Sequence, residues 1–530
     1  MTQELPTIIS GETDLSVCSR EQLIARVQDL TTTVQSLRHR VAWFERQIFG
    51  VKSERLKLLE NPQQLLLGEV LAPPSQAPAV KERTVAAHTR RSSKKDVAVG
   101  DAESVPFFDE TNIPVETIEL VDPEVEKLSP DQFEVIGEKS FYRLAQRPGS
   151  HVVLKYVSKV VKCIDTQKIS AASAPVGVIE GSRADVSFIV GMLIDKFSYY
   201  LPLYRQHQRL TDCGIRVSRS WLTQLSQQAI RLLEPIYEAQ FDSIRTSRVK
   251  AMDETSIKAG RSEGGGKMKT AYFWPVYGDQ NEVCFPYFPS REAKCIYTAL
   301  GVSHAPESVL LTDGYAAYAS YANKVGIAHA QCWAHARREF FEAHDSNPDG
   351  VTEALKRISA IYSIEEEIRK DQLAGESKRL HRLTHSKPHV EVFFDWVDRQ
   401  FQEHGLRPAT AFTKALNYVR ERRLGLELFM TDPDVPIDTN HLERALRAIP
   451  MGRKNWNFCW TELGAKHVGI MQSIIVTCRL HHVDPYTYLV DVLQRVGQHP
   501  ASQIAELTPR LWKQHFASAP LRSDLHTRVT

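Results

Sequence analysis

The chain has 530 residues, a formal net charge of +2 and a sequence pI of about 8.0. This length exceeds what one hydrophobic core supports and predicts about three or four modules. The near-neutral charge gives no general indication of nucleic-acid binding, so any basic surface must be local. Eight scattered cysteines favour a reducing compartment, and no apolar run reaches the ~18 residues of a membrane span. With no signal-peptide pattern at the N-terminus, we expect a soluble cytoplasmic protein.

Residues 19–60 carry the heptad repeat of a coiled coil. Apolar side chains alternate at spacings of four and three, and β-branched residues at position a with leucine at d favour two parallel strands. We therefore predict homodimerisation through this segment, although an amphipathic helix packed on its own chain is the alternative. The a positions are Val27, Val34, Val41 and Ile48, and the d positions are Leu23, Leu30, Leu37 and Phe44.

Residues 61–114 lose this periodicity and are rich in Pro, Gln, Ala and Ser, as flexible linkers are. A basic cluster within them either touches a phosphate backbone or is simply solvated. Its members are Arg83, Arg90, Arg91, Lys94 and Lys95.

Residues 115–175 alternate in hydrophobicity, which predicts a small β module. Residues 184–246 are helical in character, with a glycine-containing turn at 213–215 between two amphipathic segments. This pattern predicts a helix-turn-helix in which Arg216, Arg219 and Gln224 contact DNA. A plain helical hairpin gives the same pattern and remains the alternative.

Residues 247–345 have the strand order of a ribonuclease-H-like core, β-β-β-α-β. A first buried strand at 249–255 contains the acidic pair Asp253 and Glu254, and the runs 270–277 and 282–288 predict a hairpin. A short helix then leads to a strand at 308–314 that ends at Asp313. Because such crossovers are right-handed and parallel, we expect Asp253 and Asp313 at neighbouring strand ends.

Glu443 is the candidate third acid, on a predicted helix at 440–447. The long interval before it predicts a helical insertion at 346–435, followed by the last part of the core at 436–498 and a C-terminal tail at 499–530. The predicted fold class is therefore multidomain α/β. A coiled coil, a small β module and a helical domain precede the catalytic core and its insertion.

Several stretches of the chain resemble the sequence motifs of one protein family, and together they indicate that family more specifically than any single stretch does. With these stretches in this order, the chain resembles transposases of the insertion sequence 66 family, in the Asp-Asp-Glu superfamily. They are MDETS (252–256), LLTDGYAAY (310–318), QCWAHARREFFEA (331–343), NHLERALR (440–447), GRKNWNF (452–458) and SIIVTCRLHHVDPYTYL (473–489), with FGVKSERL (49–56) and LPLYRQHQRL (201–210) upstream.

The resemblance implies that Asp253, Asp313 and Glu443 form a catalytic triad that holds two Mg²⁺ or Mn²⁺ ions. Two such ions suit in-line phosphodiester hydrolysis and strand transfer, and carboxylates are the ligands that Mg²⁺ prefers. Taken alone, the same acids are also explained as a strand-end cap, a turn residue and an i,i+4 partner of Arg447. Glu254 competes with Asp253, but strand alternation turns it to the opposite face.

Family members usually carry a cysteine-rich zinc module where this chain has residues 115–175. A zinc site needs four ligands, and here only Cys163 and the nearby His151 are offered, so we predict a β module that has lost its zinc. Cys332 and His335 form half of a zinc motif near His329, and we favour a structural role for them.

The resemblance also places basic residues near the active site, where they contact DNA backbone. Arginines and lysines interleaved with Trp456, Phe458 and Trp460 suit phosphate contacts and base stacking, although buried aromatics with solvated cations would look the same. The predicted DNA-binding residues are Arg337, Arg338, Arg444, Arg447, Arg453, Lys454 and Asn455.

The implied partners are the DNA ends of an insertion sequence, target DNA, a second copy of the chain and accessory proteins of the same element. Two other classes of function remain open. One is a catalytically inactive DNA-binding regulator, and the other is a ribonuclease-H-like nuclease without joining activity.

Overall fold

The computed structural model describes residues 107–527, apart from 109–112, 121, 123–124, 126–128, 130–131, 148, 165–166, 168, 174, 262–266, 404–405, 407–408 and 457–458. The predicted coiled coil and most of the predicted linker therefore lie outside the described residues. Phe108 and Ile113, at the end of the predicted linker, are each only 5% exposed and belong to the hydrophobic core.

The first sheet contains the strands predicted for the β module. They are β1 (Val115–Leu120), β2 (Phe133–Arg147), β3 (Ser150–Cys163) and β4 (Ile169–Ala171). Strand β3 lies between β1, its parallel neighbour, and β2, with which it forms a long antiparallel hairpin, and β4 also pairs with β3. Leu144 and Val153 on the hairpin are buried in the same core as the helices that follow, so the sheet packs against the rest of the protein.

Three helices follow, in agreement with the helical character predicted for residues 184–246. They are α1 (Val186–Phe197), α2 (Leu203–Asp212) and α3 (Arg219–Thr246). Helix α1 begins where the Asp185 side chain accepts from the Ser187 backbone N–H, and α3 begins where Ser218 accepts from Trp221. These are ordinary N-cap contacts, which satisfy backbone donors that have no partner within the helix.

A five-stranded mixed sheet forms the centre of the molecule, with the order β12-β11-β5-β8-β9. Strands β5, β11 and β12 are parallel, whereas β8 and β9 run antiparallel. The predicted parallel pairing of the strands that precede Asp253 and Asp313 is therefore confirmed. The strands are β5 (Val249–Met252), β8 (Val276–Gly278), β9 (Val283–Cys284), β11 (Val309–Thr312) and β12 (Ala328–Gln331).

The predicted hairpin is present, but it continues from the central sheet into a second sheet. In the second sheet β7 (Met268–Phe273) lies between β6 (Thr255–Arg261) and β10 (Tyr287–Phe288). Phe273 pairs with Tyr287 in this sheet, while Val276 pairs with Cys284 in the central one. Sequence patterns did not predict β6, which directly follows the acidic pair.

The remaining elements are helical, including the predicted insertion. Those before and within the insertion are α4 (Lys294–Leu300), α5 (Ala316–Val325), α6 (Trp333–Glu342), α7 (Pro348–Lys370), α8 (Gly375–His381), a π-helical turn (Arg382–Ser386), α9 (Lys387–Glu403), α10 (Ala411–Glu421) and α11 (Arg423–Thr431). Those after it are α12 (Asn440–Leu446), α13 (Ala448–Trp456), α14 (Glu462–Leu480), α15 (Pro485–Arg495), α16 (Pro509–His515) and α17 (Asp524–Thr527).

The segment predicted as a C-terminal tail is instead packed on the protein. Leu507, Trp512 and Leu525 are buried, and the Tyr156 hydroxyl donates to Asp524 at 2.8 Å. The C-terminal helices thus cover both the first sheet and α15, because Trp512 Nε1 donates to Asp491. Across the described ranges, the helices are either too short or too polar to cross a bilayer.

Candidate active site at the carboxyl ends of the parallel strands

Asp253 and Asp313 lie directly after two neighbouring parallel strands. Leu311 on β11 is in register with Ala251 on β5, so the two aspartates follow at the same level of the sheet. The Asp253 carboxylate accepts from the Glu254 backbone N–H at 2.7 Å, and the Asp313 carboxylate accepts from Tyr315 N–H at 3.0 Å. The carboxyl ends of parallel strands are the usual place for ligand sites in open α/β sheets.

Glu443 is brought to the same end of the sheet by contacts around the start of α12. The Thr439 backbone N–H and hydroxyl both donate to the Cys332 thiol, at 3.3 and 3.2 Å. On its other side, the ring of His441 packs edge-to-face on Tyr277 of β8 at 4.7 Å. Helix α12 is thereby fixed between the start of α6 and the central sheet.

The pKa of Asp253 is affected by burial and by the charges of nearby acids. Burial is the main cause that raises the pKa of Asp253 to about 7; the hydrogen bond from the Glu254 N–H opposes the shift, and the negative charges of Glu254, Asp313 and Glu443 add to it. Carboxylates that share a site disfavour one another's ionisation. Asp313 and Glu443 therefore lie close enough to Asp253 for their charges to act on it.

Two side chains of α6 face Glu443. This helix begins just after β12, at the same edge of the sheet as the acids. Its Arg338 lies 3.5 Å from Glu443 Oε1, and its His335 lies 3.9 Å from the same oxygen. Burial lowers the pKa of His335, and the charge of Arg338 lowers it further, which favours a neutral ring. Only a structural role was predicted for His335; its place four residues after the end of β12 was the available signal.

Two residues hold the Glu254 side chain: Arg291, which follows β10, and Tyr318 on α5, which follows β11. Its carboxylate accepts from the Tyr318 hydroxyl on α5 at 2.6 Å and from Arg291 Nε at 2.7 Å. Because both partners belong to the protein, Glu254 is a fixed neighbour of Asp253. Sequence analysis identified neither Tyr318 nor Arg291 as part of the site.

The helical insertion also reaches this edge of the sheet. Arg422 donates to the Gly314 carbonyl at 3.0 Å, and a Cβ on Gly314 would lie only 2.5 Å from a ring carbon of Tyr418. A glycine after Asp313 therefore lets the insertion pack directly over the strand end.

Carboxylate groups suit a hard cation, but the described acids are not arranged as a complete set of metal ligands. Within the described part of the chain, no three His, Cys, Asp or Glu side chains are grouped to hold a metal ion, and Glu443 faces Arg338 instead. Its Oε1 atom is nevertheless buried without a hydrogen-bond donor among the described residues, as is His335 Nδ1. Carboxylate oxygens are the ligands that Mg²⁺ prefers.

The residues considered for zinc are arranged differently. His151 and Cys163 lie at opposite ends of β3, about 40 Å apart at the usual rise of a strand, so they cannot share an ion. Cys332 is buried and accepts two hydrogen bonds from Thr439, and burial raises its pKa to about 11. These contacts support the structural role predicted for Cys332.

The predicted DNA-binding residues lie mainly on the surface around α12 and α13. All except Arg453 are exposed, and Arg453 is half-buried because its guanidinium donates to the Ser256 carbonyl. Trp460 remains 50% exposed, with Arg261 over its ring at 4.6 Å. The helix-turn-helix candidates Arg216, Arg219 and Gln224 are also exposed. The exposed members of the first set are Arg337, Arg338, Arg444, Arg447, Lys454 and Asn455.

Comparison with known families matches three parts of the chain. The model described as "Transposase IS66 family" matches residues 181–467, which is more than half of the chain and includes all three acids. The "IS66 C-terminal element" matches residues 473–510, and "Transposase C of IS166 homeodomain" matches residues 36–97. These matches place the chain among transposases. The chain belongs to the IS66 transposase family.

Curated relatives occur in Sinorhizobium fredii. The uncharacterized protein y4hP is 26% identical over 512 residues, covering 92% of this chain and 90% of the relative. The uncharacterized protein y4jD is 27% identical over 523 residues, covering 93% of this chain and 98% of the relative. The similarity therefore extends over nearly the whole length of both proteins.

Proposed function

We propose that this chain is a DNA transposase that binds the ends of an insertion sequence and carries out Mg²⁺-dependent cleavage and strand transfer. The observation that carries the proposal is the placement of Asp253 and Asp313 directly after neighbouring parallel strands, with the charge of Glu443 acting on Asp253. Membership of the IS66 family supports the same function.

The order of the central sheet supports a ribonuclease-H-like core. Strands β5, β8 and β9 are successive antiparallel neighbours, and β11 and β12 lie parallel to β5 on its other side. This is the β-β-β-α-β order predicted from sequence, with one further parallel strand. The helical insertion then separates the second acid from the third.

Asp253, Asp313 and Glu443 would hold the divalent cations, either Mg²⁺ or Mn²⁺. When bound, a pair of such ions activates the attacking oxygen and stabilises the leaving oxygen of an in-line displacement at phosphorus. The raised pKa of Asp253 supports this role, because burial and the negative charges of its neighbours disfavour its ionised form and a bound cation would favour that form.

The chemistry would proceed in two balanced steps. In the first, water attacks phosphorus at the element end; the bond to the 3′ oxygen breaks and a free 3′-hydroxyl is left. In the second, this hydroxyl loses its proton and attacks a target phosphodiester, whose own 3′ oxygen leaves and takes up a proton. Arg338 and His335 lie beside Glu443. They would hold the orientation of its carboxylate from the first step to the second.

DNA would lie along the exposed cations near α6, α12 and α13. Arg337, Arg444 and Arg447 are exposed, and arginines of this kind bind phosphate through charge and hydrogen bonds. The similarity of residues 36–97 to a homeodomain element supports a separate DNA-binding part near the N-terminus. Pairing of two chains through residues 19–60, and accessory proteins of the element, belong to the same proposal.

A joining assay tests the proposal. Purified chain is incubated with labelled DNA from the borders of its coding sequence, Mg²⁺ and a target plasmid. Joined products support a transposase, nicks without joining indicate a nuclease, and shifted DNA without products indicates a binding protein. Asp253→Asn, Asp313→Asn and Glu443→Gln should each remove products while DNA binding remains. Glu366→Gln, an exposed acid of the insertion, is the matched control and should keep them.

A further inference from the structure

Arg291 is held in a fixed orientation beside the carboxylates. Its Nε donates to Glu254 Oε1 at 2.7 Å, and its Nη2 donates to the same oxygen. Its guanidinium lies 4.5 Å from the centroid of the Tyr315 ring. Its backbone carbonyl accepts from the Tyr315 hydroxyl at 3.0 Å. Both the backbone and the charged end of Arg291 are therefore fixed by its neighbours.

The two members of this ion pair differ in exposure. The Glu254 side chain is 5% exposed, whereas that of Arg291 is 48% exposed. The second oxygen of Glu254 is occupied by the Tyr318 hydroxyl. In contrast, Nη1 of Arg291 donates no hydrogen bond within the described residues. The Glu254 side chain is thus buried, whereas the Arg291 side chain is half-exposed and its Nη1 group is available to bind a ligand.

The surroundings of Arg291 are strongly acidic. Burial alone would lower its pKa, but the hydrogen bond to Glu254 and the charges of Glu254, Tyr315 and Asp313 raise it. A DNA phosphate that approaches Asp253 and Asp313 is repelled by their charges, so a fixed cation at the rim would offset part of that repulsion. A guanidinium fork is well suited to phosphate oxygens.

We propose that Arg291 contacts a backbone phosphate of the substrate DNA next to the bond that is cut, and that Glu254 and Tyr315 are positioning residues for it. This inference rests on the proposed function and adds a contact that the sequence motifs do not identify. Because Glu254 is buried and Arg291 is half-exposed, the ion pair holds the guanidinium in one orientation at the protein surface.

The salt dependence of DNA binding tests the contact. Affinity for a labelled duplex copied from the DNA bordering the coding sequence is measured between about 50 and 200 mM KCl. Each neutralised phosphate steepens the plot of log affinity against log salt by about 0.9. Arg291→Ala should make the slope shallower by about one, whereas Arg291→Lys should keep it. Loss of a purely structural ion pair would not alter this slope.

Two further variants keep the test decisive. Arg291→Ala leaves Glu254 as a buried charge without its partner, which can destabilise the fold. The double variant Arg291→Ala/Glu254→Gln removes that charge while the amide oxygen still accepts from Tyr318. It should show the same shallower slope. Arg369→Ala, which removes a 70% exposed arginine of the insertion, is the matched control and should leave the slope unchanged.

The outcomes separate this inference from the proposed function. A slope in the double variant equal to that of the unaltered chain overturns the phosphate contact, whatever the melting temperatures. If the unaltered chain itself shows no salt-dependent DNA binding, the proposed function fails and this inference fails with it. A shallower slope in both alanine variants, with the lysine variant and Arg369→Ala unchanged, supports it.

Discussion

Glu443 Oε1 lies 3.5 Å from an Arg338 guanidinium nitrogen, so the third acid of the site is turned toward a cation of its own chain. This pair competes with any divalent ion for the same carboxylate. The competition is modest because the Arg338 side chain is 51% exposed, and exposed pairs contribute about 0.2–1 kcal/mol.

Arg338→Ala should therefore strengthen metal binding in the absence of DNA. Freed from its partner, Glu443 would bind Mn²⁺ up to about five times more tightly, the factor that corresponds to the upper end of the energy of the pair. Calorimetric titration of Mn²⁺ into the full chain measures this. Arg337→Ala, which changes the neighbouring exposed arginine, is the control. Equal or weaker Mn²⁺ binding by Arg338→Ala would rule out competition at Glu443.

Asp253→Asn should change how stability depends on pH. In the folded chain the pKa of Asp253 is about 7, above its ordinary value of 3.8, so the folded state keeps its proton while the unfolded state has lost it. Stability contributed at this position is complete below about pH 4, falls as pH rises toward 7, and stays low above that. Asparagine has no such loss. The melting temperature of the variant minus that of the unaltered chain should thus increase from pH 5 to pH 8.

Divalent ions provide the control for that measurement. At pH 8, Mg²⁺ should raise the melting temperature of the unaltered chain, because an ion that binds only the folded state stabilises it. The same addition should have little effect on Asp253→Asn. A melting-temperature difference that is constant across this pH range would contradict the raised pKa.

The sequence predicted the parts of the site that lie on regular elements. Asp253 and Asp313 each follow an apolar run of strand length, and a parallel crossover brings such ends together. The helix that carries Glu443 was also predicted, and Leu442 on its predicted apolar face is fully buried; Ile449, predicted on the same face, is buried on the next helix, α13. Periodicity and connection rules therefore predicted that Asp253 and Asp313 follow neighbouring parallel strands, as they do.

Other parts of the site depend on contacts between distant segments and gave no periodic signal. Arg291 lies in a loop, and its partner Glu254 precedes a strand, β6, that sequence patterns missed. The C-terminal segment was also missed as a folded region, because the burial of Trp512 and Leu525 depends on the surfaces of α15 and β3. These side chains become paired or buried on surfaces that form only when the protein folds.

Gly469→Ala should destabilise the central sheet. Gly469 lies in the middle of α14, where an added Cβ would be 2.3 Å from the Phe285 carbonyl oxygen and 3.3 Å from the Phe273 ring. A backbone carbonyl cannot move aside easily, so the cost should be about 1–3 kcal/mol. Gly497→Ala, where a Cβ meets nothing within 4 Å, should change stability by less than about 0.5 kcal/mol. Urea unfolding measures both, and equal midpoints would refute the close contact.

Arg382→Leu should strongly destabilise the helical insertion. Arg382 is fully buried in the π-helical turn before α9, where its Nε and Nη2 donate to the two Glu365 oxygens at 2.7 and 2.8 Å. Its Nη1 donates to the carbonyls of Phe429 and Val435. Leucine would leave a buried carboxylate and two carbonyls without donors, at a cost of about 3–5 kcal/mol.

Two further variants test whether the loss of stability comes from breaking a buried ion pair or from the loss of any arginine. Arg369→Ala breaks an ion pair with Glu366 in which both side chains are 70% exposed, and should cost no more than about 1 kcal/mol. The double variant Arg382→Leu/Glu365→Leu removes the stranded charge and should recover part of the loss, since buried ion pairs are often replaceable by apolar groups. Urea unfolding with hydrogen exchange at α9 and α11 measures each variant. If Arg382→Leu were no less stable than Arg369→Ala, the buried pair would not be what holds α7, α9 and α11 together.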